Sequence, residues 1–275
     1  MTILHTSDGH PLYFQEYGSG SALVFVHGFA AHGGFFEAAA LQLASDFRVI
    51  VPDLRGHRFS RQEGDRPTLP QLARDLNELL DHLLPDEKSC LAGWSMGALV
   101  CLESLRQEGQ QRTSGLIVED MSPRILNDDT WHFGLKGGFD AAMSERSMAL
   151  MRRDWRRFSH AAAENLFARW ETTSPTLRRW ALQQLQTNDA DTLVHLWRSL
   201  SEHHYERMLA TLHLPTLIVW GKRSRLYSPA VAEFWLQQLP QGRDGGCDES
   251  GHAPHLEQPE HFSSLLREFL FTLTW

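Results

Sequence analysis

Long hydrophobic runs are missing from this chain. Its longest apolar stretches, such as Ala22-Leu23-Val24-Phe25-Val26, stop far short of the roughly 18 residues that a membrane-spanning helix needs. A transmembrane protein is excluded on that count. Cysteine is also scarce: Cys90, Cys101 and Cys247 are odd in number and widely spaced, so neither a disulfide framework nor a C-x-x-C metal or redox motif is expected. The first ten residues lack the basic start and apolar core of a secretion leader, and a reducing cytoplasm is the expected home. There is no excess of basic charge either. With 26 basic against 34 acidic side chains, a net charge of -8, no nucleic-acid partner is expected, because binding phosphates needs a basic face. Internal repeats, low-complexity tracts and Gly/Ser-rich linkers are absent, so 275 residues read as one folding unit carrying an insertion.

What is present is an alternation. Short apolar runs at 21–27, 47–53, 89–94, 115–120 and 214–221 are separated by helical lengths, the pattern of strands buried on both faces of a parallel sheet with crossover helices. The expected class is α/β, a mostly parallel sheet flanked by helices. Ligands in open parallel sheets bind beyond the carboxyl ends of the strands. Those ends carry His27-Gly28-Phe29, Asp53-Leu54-Arg55-Gly56, Trp94-Ser95-Met96, Asp120-Met121-Ser122 and Gly221-Lys222-Arg223-Ser224. The run at 242–247 is too glycine-rich to be read as a last strand.

Between 122 and 210 the strand signal gives way to helical periodicity and to five of the nine tryptophans, at 131, 155, 170, 180 and 197. This segment is expected to form a helical cap (122–210) inserted into a core made of 1–121 and 211–275. Met148, Met151, Trp155 and Phe158 fall on one helical face and Arg152, Arg153, Arg156 and Arg157 on the other, a core stripe with a solvated basic side. Residues 121–200 carry 11 basic and 9 acidic side chains, against 15 and 25 in the remainder, so the insert is positive relative to an acidic body.

The chemistry points to Gly93-Trp94-Ser95-Met96-Gly97. This G-x-S-x-G follows an apolar strand and opens a helical run; such a tight strand-to-helix turn strains its middle residue and lifts Ser95 toward the cleft, at a helix N-terminus that favours negative charge. A serine hydroxyl needs a base. His252, in the loop Ser250-Gly251-His252-Ala253-Pro254 ahead of the final helix, is the candidate among fifteen histidines; His27, His57 and His255 read as structural, with His255 at the rim. Two aimed N–H groups would receive the oxyanion, one from Met96 and one from Phe29.

These segments resemble the α/β-hydrolase fold superfamily in the expected order, across nearly the whole chain outside the cap. The resemblance implies a triad of Ser95, His252 and an acid, an oxyanion hole from Phe29 and Met96, and hydrolysis through a covalent acyl-enzyme without cofactor or metal. Two departures stand out. Where the superfamily usually has an acid after the seventh strand, as G-x-x-D, this chain has Gly221-Lys222-Arg223-Ser224. Where the turn after Asp53 usually runs G-H-G-x-S, it has Gly56-His57-Arg58-Phe59-Ser60, a change expected to affect only a surface turn. The acid is expected to have moved to Asp120: Glu119-Asp120-Met121-Ser122-Pro123 is similar to a branch of small esterases whose acid follows the sixth strand and whose usual position is a serine. Asp120 could otherwise be a helix-cap residue. Ser224 is expected to stand outside the triad.

The leading expectation is a carboxylesterase-type serine hydrolase acting on a small ester or thioester with a hydrophobic acyl chain, its pocket lined by Phe29, Trp94, Met96 and Trp131. A methyl esterase acting on acyl carrier protein conjugates is an alternative within the same chemistry, and perhydrolase side activity shares the triad. A non-catalytic hydrolase fold used as a binding module is a different class. A metalloenzyme built from His252, His255 and His261, or from His203 and His204, matches no zinc spacing.

Overall fold

The computed structural model describes residues 2–275. Among them, eight strands form one sheet: β1 (Thr2–His5), β2 (Pro11–Tyr17), β3 (Ala22–Val26), β4 (Arg48–Pro52), β5 (Ser89–Trp94), β6 (Thr113–Glu119), β7 (Thr216–Gly221) and β8 (Gly242–Cys247). Their order is β1-β2-β4-β3-β5-β6-β7-β8, and every pairing is parallel except β1 with β2 and β2 with β4. The five expected runs are β3 to β7. β3, β5 and β6 are buried from end to end, as continuous apolar runs covered by helices on both faces must be.

The β1–β2 hairpin escaped the sequence reading because β1 is mostly exposed and so carries no apolar pattern. The glycine-rich 242–247 segment, expected not to be a strand, is β8. It lies at the sheet edge and pairs only with β7. An edge strand supplies backbone hydrogen bonds, and its bare Gly246 lies against the Trp220 ring, where a Cβ would stand 3.1 Å away.

The helices are α1 (Glu37–Leu43), α2 (Leu69–Leu83), α3 (Met96–Glu108), α4 (Ala141–Arg153), α5 (Trp155–Leu166), α6 (Pro175–Gln186), α7 (Ala190–Glu202), α8 (Pro229–Gln238), α9 (Pro254–Glu257) and α10 (Pro259–Leu270). α2 packs on α3 and α1 on α10. The four helices α4 to α7 all fall between β6 and β7, with α4 against α7 and α5 against α6. The methionine and arginine stripe spans two of them. Asp154 ends α4 and caps α5, accepting from the Arg157 N–H at 2.9 Å, so the chain bends between Met151 and Trp155. No helix of the described residues is long and apolar enough to cross a membrane.

Candidate active site

Ser95 stands between β5 and α3 with φ 52° and ψ -125°, a backbone that side-chain-bearing residues rarely adopt. Its flanking glycines are sterically required. A Cβ on Gly97 would lie 1.9 Å from the Val26 carbonyl oxygen, and one on Gly93 2.4 Å from the Ala98 backbone. With Met96 opening α3, Ser95 sits at the positive end of a thirteen-residue helix.

The loop after β3 approaches the same point: a Cβ on Gly28 would lie 3.1 Å from the Ser95 Cβ. His27 ties this loop to the end of β4. Its Nδ1 donates to the Gly28 carbonyl at 2.9 Å and its Nε2 accepts from the Leu54 N–H at 2.9 Å, while burial pushes its pKa well below the usual value and keeps it neutral. His57 packs edge-on against it at 4.9 Å, donates to the Arg55 carbonyl, and is held down at about 4 by burial. Asp53 accepts from the Gly33 and Phe59 N–H groups at 2.8 and 3.3 Å. Desolvation nonetheless raises its pKa to about 6, against those two donors.

At the other side of the sheet centre, β6 ends at Glu119 and Asp120 follows with φ 42°. The two neighbouring carboxylates go to different histidines. Asp120 Oδ2 receives His252 Nδ1 at 2.7 Å, and Glu119 Oε1 receives both Nδ1 (2.8 Å) and the backbone N–H (3.0 Å) of His255. His255 is therefore not at the rim: it is 1% exposed and wedged between Phe36 and Trp94. Ser224 stands beside the acid, donating its hydroxyl to Asp120 Oδ2 at 2.6 Å.

A cavity of about 360 Å3 opens between the sheet and the inserted helices, lined by Ser95, His252, Phe29 and Met96 together with cavity walls from both parts of the chain. Two expected pocket residues are elsewhere. Trp94, the last residue of β5, does not line the cavity: it is buried beneath the site, stacked on Phe35 and 5.6 Å from the His252 ring, with its indole N–H donating to the His252 carbonyl at 2.8 Å. Trp131 is buried against Phe133 and Phe234 on α8, with its N–H on the Arg124 carbonyl. Phe139, Phe158, Trp197 and Tyr227 line the cavity instead. Only Phe158 and Trp197 had a signal, as aromatics on amphipathic helices; the direction of Tyr227 depends on how the loop after β7 folds. Nor is Arg58 confined to a surface turn: its guanidinium reaches His32 on the loop after β3, at 2.9 Å.

Among the described residues, no group of three or more His, Cys, Asp or Glu side chains is arranged to hold a metal ion. His203 Nδ1 bonds the Ser199 carbonyl in its own helix end, and His255 is committed to Glu119.

A family model described as alpha/beta hydrolase fold matches residues 21–259. The chain belongs to the α/β-hydrolase fold family. Within that family it is 28% identical over 261 residues to a pimeloyl-[acyl-carrier protein] methyl ester esterase of Vibrio parahaemolyticus, covering 94% of this chain and 97% of that protein. It is 24% identical to the AB hydrolase superfamily protein YisY of Bacillus subtilis over 97% of each chain. Among solved α/β-hydrolase relatives, a thermophilic esterase from Thermogutta terrifontis superposes with a TM-score of 0.85 at 26% identity, over 98% of each chain. An esterase from Exiguobacterium antarcticum shares the fold at a TM-score of 0.90 with 23% identity.

Proposed function

We propose that the protein is a serine esterase in which Ser95 is the nucleophile, His252 the general base and Asp120 the orienting acid. The observation that carries this reading is the 2.7 Å contact between Asp120 Oδ2 and His252 Nδ1, with His252 and Ser95 lining one cavity. Asp120 accepts the Nδ1 proton and so leaves Nε2 as the basic nitrogen. In the first step Ser95 Oγ bonds to the ester carbonyl carbon as its proton passes to His252 Nε2. The negative charge that forms on the carbonyl oxygen is received by the backbone N–H groups of Met96 and Phe29, helped by the N-terminus of α3. Collapse expels the alcohol, which takes the proton from His252 and leaves an acyl group on Ser95. Water, deprotonated by the same imidazole, then releases the acid.

Residues 122–210 act as a cap over a core of 1–121 and 211–275, and the cap sets the acyl specificity. Apart from the reacting groups, the cavity is mainly apolar, with Met121, Leu185, Leu200 and Trp197 among its walls, which suits a hydrophobic acyl chain on an ester or thioester. A second reading, methyl esters carried on an acyl carrier protein, is favoured by one feature. The lining contains no carboxylate, while the exposed Lys136 and Arg225 sit at its solvent side. The Vibrio relative bears that activity in its name. A cytoplasmic enzyme without cofactor fits either reading.

Labelling with a fluorophosphonate, followed by a chain-length series of p-nitrophenyl esters, tests the proposal. Labelling at Ser95 that disappears in Ser95→Ala, together with loss of hydrolysis in a folded variant, is the expected result. A wild-type protein that neither labels nor turns over any ester would instead be a binding module.

A further inference from the structure

We propose that Arg58, His32 and Gln184 form a positioning chain that locks the Phe29-bearing loop to the helical insert, so that ester hydrolysis depends on the Arg58 guanidinium. The proposal rests on the serine-esterase reading, because it is the oxyanion donor of Phe29 that the chain would hold in place.

The starting point is a backbone anomaly. Among the described residues, four that are not glycine have φ in the left-handed region: Ala30 (61°), Arg58 (41°), Ser95 (52°) and Asp120 (42°). Such conformations are disfavoured for any residue with a Cβ and persist where the surroundings over-determine them, often at functional sites. Three of the four lie in the candidate site. Arg58 is the exception by position, and it occupies the place where the family pattern has glycine, the residue that would carry no strain there.

Its side chain connects it to the site. Arg58 Nη1 donates to His32 Nδ1 at 2.9 Å, and the Gly34 N–H donates to the same nitrogen at 3.1 Å. A guanidinium and a backbone N–H can only donate, so Nδ1 must be unprotonated and the ring proton must sit on Nε2. That proton is used: Nε2 donates to the Gln184 side-chain oxygen on α6 at 2.9 Å. His32 is buried, and its ring packs edge-on against Phe35. The chain thus runs from the turn after β4, through the loop after β3, into the insert.

The same loop is tied to its surroundings at two neighbouring residues. Asn188, just beyond α6, donates to the Ala30 carbonyl at 2.7 Å, and Asp53 accepts from Gly33. Phe29 is therefore followed by a segment whose path is set jointly by the core and by the C-terminal end of α6. The charged and titratable groups facing His32 are Arg58, His57, His27 and, through Gly33, Asp53. Burial and the Arg58 charge hold its pKa at about 4, so the imidazole stays a neutral acceptor at ordinary pH and the chain acts as a fixed brace.

Three variants test this: Arg58→Gly, Arg58→Lys and Gln184→Leu, each measured for kcat and KM on one p-nitrophenyl ester, for thermal midpoint, and for the His32 imidazole 15N shifts against pH. Arg58→Gly removes both the strain and the guanidinium. It is expected to melt no lower than wild type, while kcat falls about tenfold with KM within twofold, and His32 titrates nearer its ordinary range. Arg58→Lys should recover part of kcat, and Gln184→Leu should lower kcat while leaving the His32 tautomer unchanged. Wild-type kcat in Arg58→Gly would overturn the proposal, as would a loss of activity that only tracks a loss of folded protein. Fluorophosphonate labelling of wild-type Ser95 is the control: if it fails, the esterase reading falls, while the 15N shifts still decide whether Arg58 sets the state of His32.

Discussion

Glu119 holds His255 twice, through the ring Nδ1 at 2.8 Å and through the backbone N–H at 3.0 Å, three residues beyond His252. Trp94 holds the same loop at the His252 carbonyl. The residue before Ser95 and the residue before Asp120 therefore anchor the loop that carries the histidine. Trp94 and Glu119 are paired last residues of β5 and β6, buried beneath the site, while Ser95 and Asp120 follow them outside the strands with left-handed backbones.

Replacing Asp120 with Asn should lower turnover by about 10⁴ through loss of tautomer control, as in other triads. Glu119→Gln, which keeps an oxygen acceptor for the His255 N–H, should retain activity within about tenfold. Glu119→Ala leaves two buried donors without a partner and should cost about 3 kcal/mol of stability. Steady-state kinetics with chemical denaturation checks both. A deep loss of kcat in Glu119→Gln and none in Asp120→Asn would reverse the assignment.

Ser224 donates to the oxygen of Asp120 that also receives His252. Standing outside the triad does not make it idle. Ser224→Ala should lower kcat about tenfold, the scale of one hydrogen bond to a carboxylate worth about 1.5 kcal/mol. Ser224→Asp sets two carboxylates against each other and should be worse than alanine, whereas in Asp120→Asn the same substitution should restore part of the lost turnover. Measuring kcat for both single variants and the double variant decides this.

Acid should destabilise the fold before the carboxylates of the surface titrate. His27, His32 and His57 are held below their ordinary 6.5, the latter two at about 4. Between about 6.5 and 4 the unfolded chain binds protons that these rings in the folded chain do not, so stability is full above 6.5 and falls as pH drops through that window. Asp53 works the other way between 3.8 and about 6, because its folded form keeps the proton longer, and it offsets one of the three histidines. Thermal melts from pH 7.5 to 4.5 should show a net proton uptake on unfolding, reduced by about one proton in His57→Asn.

Charge at the cavity's solvent side should select among substrates. Lys136 and Arg225 are exposed, with Lys136 Nζ on the Ser224 carbonyl at 2.5 Å. Lys136→Glu combined with Arg225→Glu should raise KM for an ester with a terminal carboxylate several-fold more than for a neutral one of equal length, and the difference should shrink at 0.5 M salt. Equal effects on both esters would mean that these cations do not read the substrate.

Ser95, Asp120 and His252 were visible in the sequence because each sits where the chain must change direction. The glycines around Ser95, the apolar run that stops at Glu119 and the Gly251–Pro254 loop all mark strand or helix ends, and strand ends are where α/β sheets place their chemistry. Pocket walls had no such mark. Trp94 and Trp131 were expected in the cavity on size and proximity in the chain, yet one is buried beneath the site against Phe35 and His252 and the other packs on α8. β8 was missed for a related reason: its pairing comes from β7, and its own side chains contribute little to the pattern.

What the sequence determined by itself was the five strand runs β3 to β7, the helical character of the stretch between β6 and β7, and the residue types able to do ester chemistry, because burial on both faces and tight turns leave local signatures. Tertiary structure decided the partnerships. Glu119 and Asp120 are adjacent in the chain but bind different histidines more than 130 residues away, and Arg58 reaches a loop 26 residues earlier that is itself tied to a helix of the insert. Hydrogen bonds of that range depend on where separate elements come to rest against one another, and no local pattern of residues carries that information.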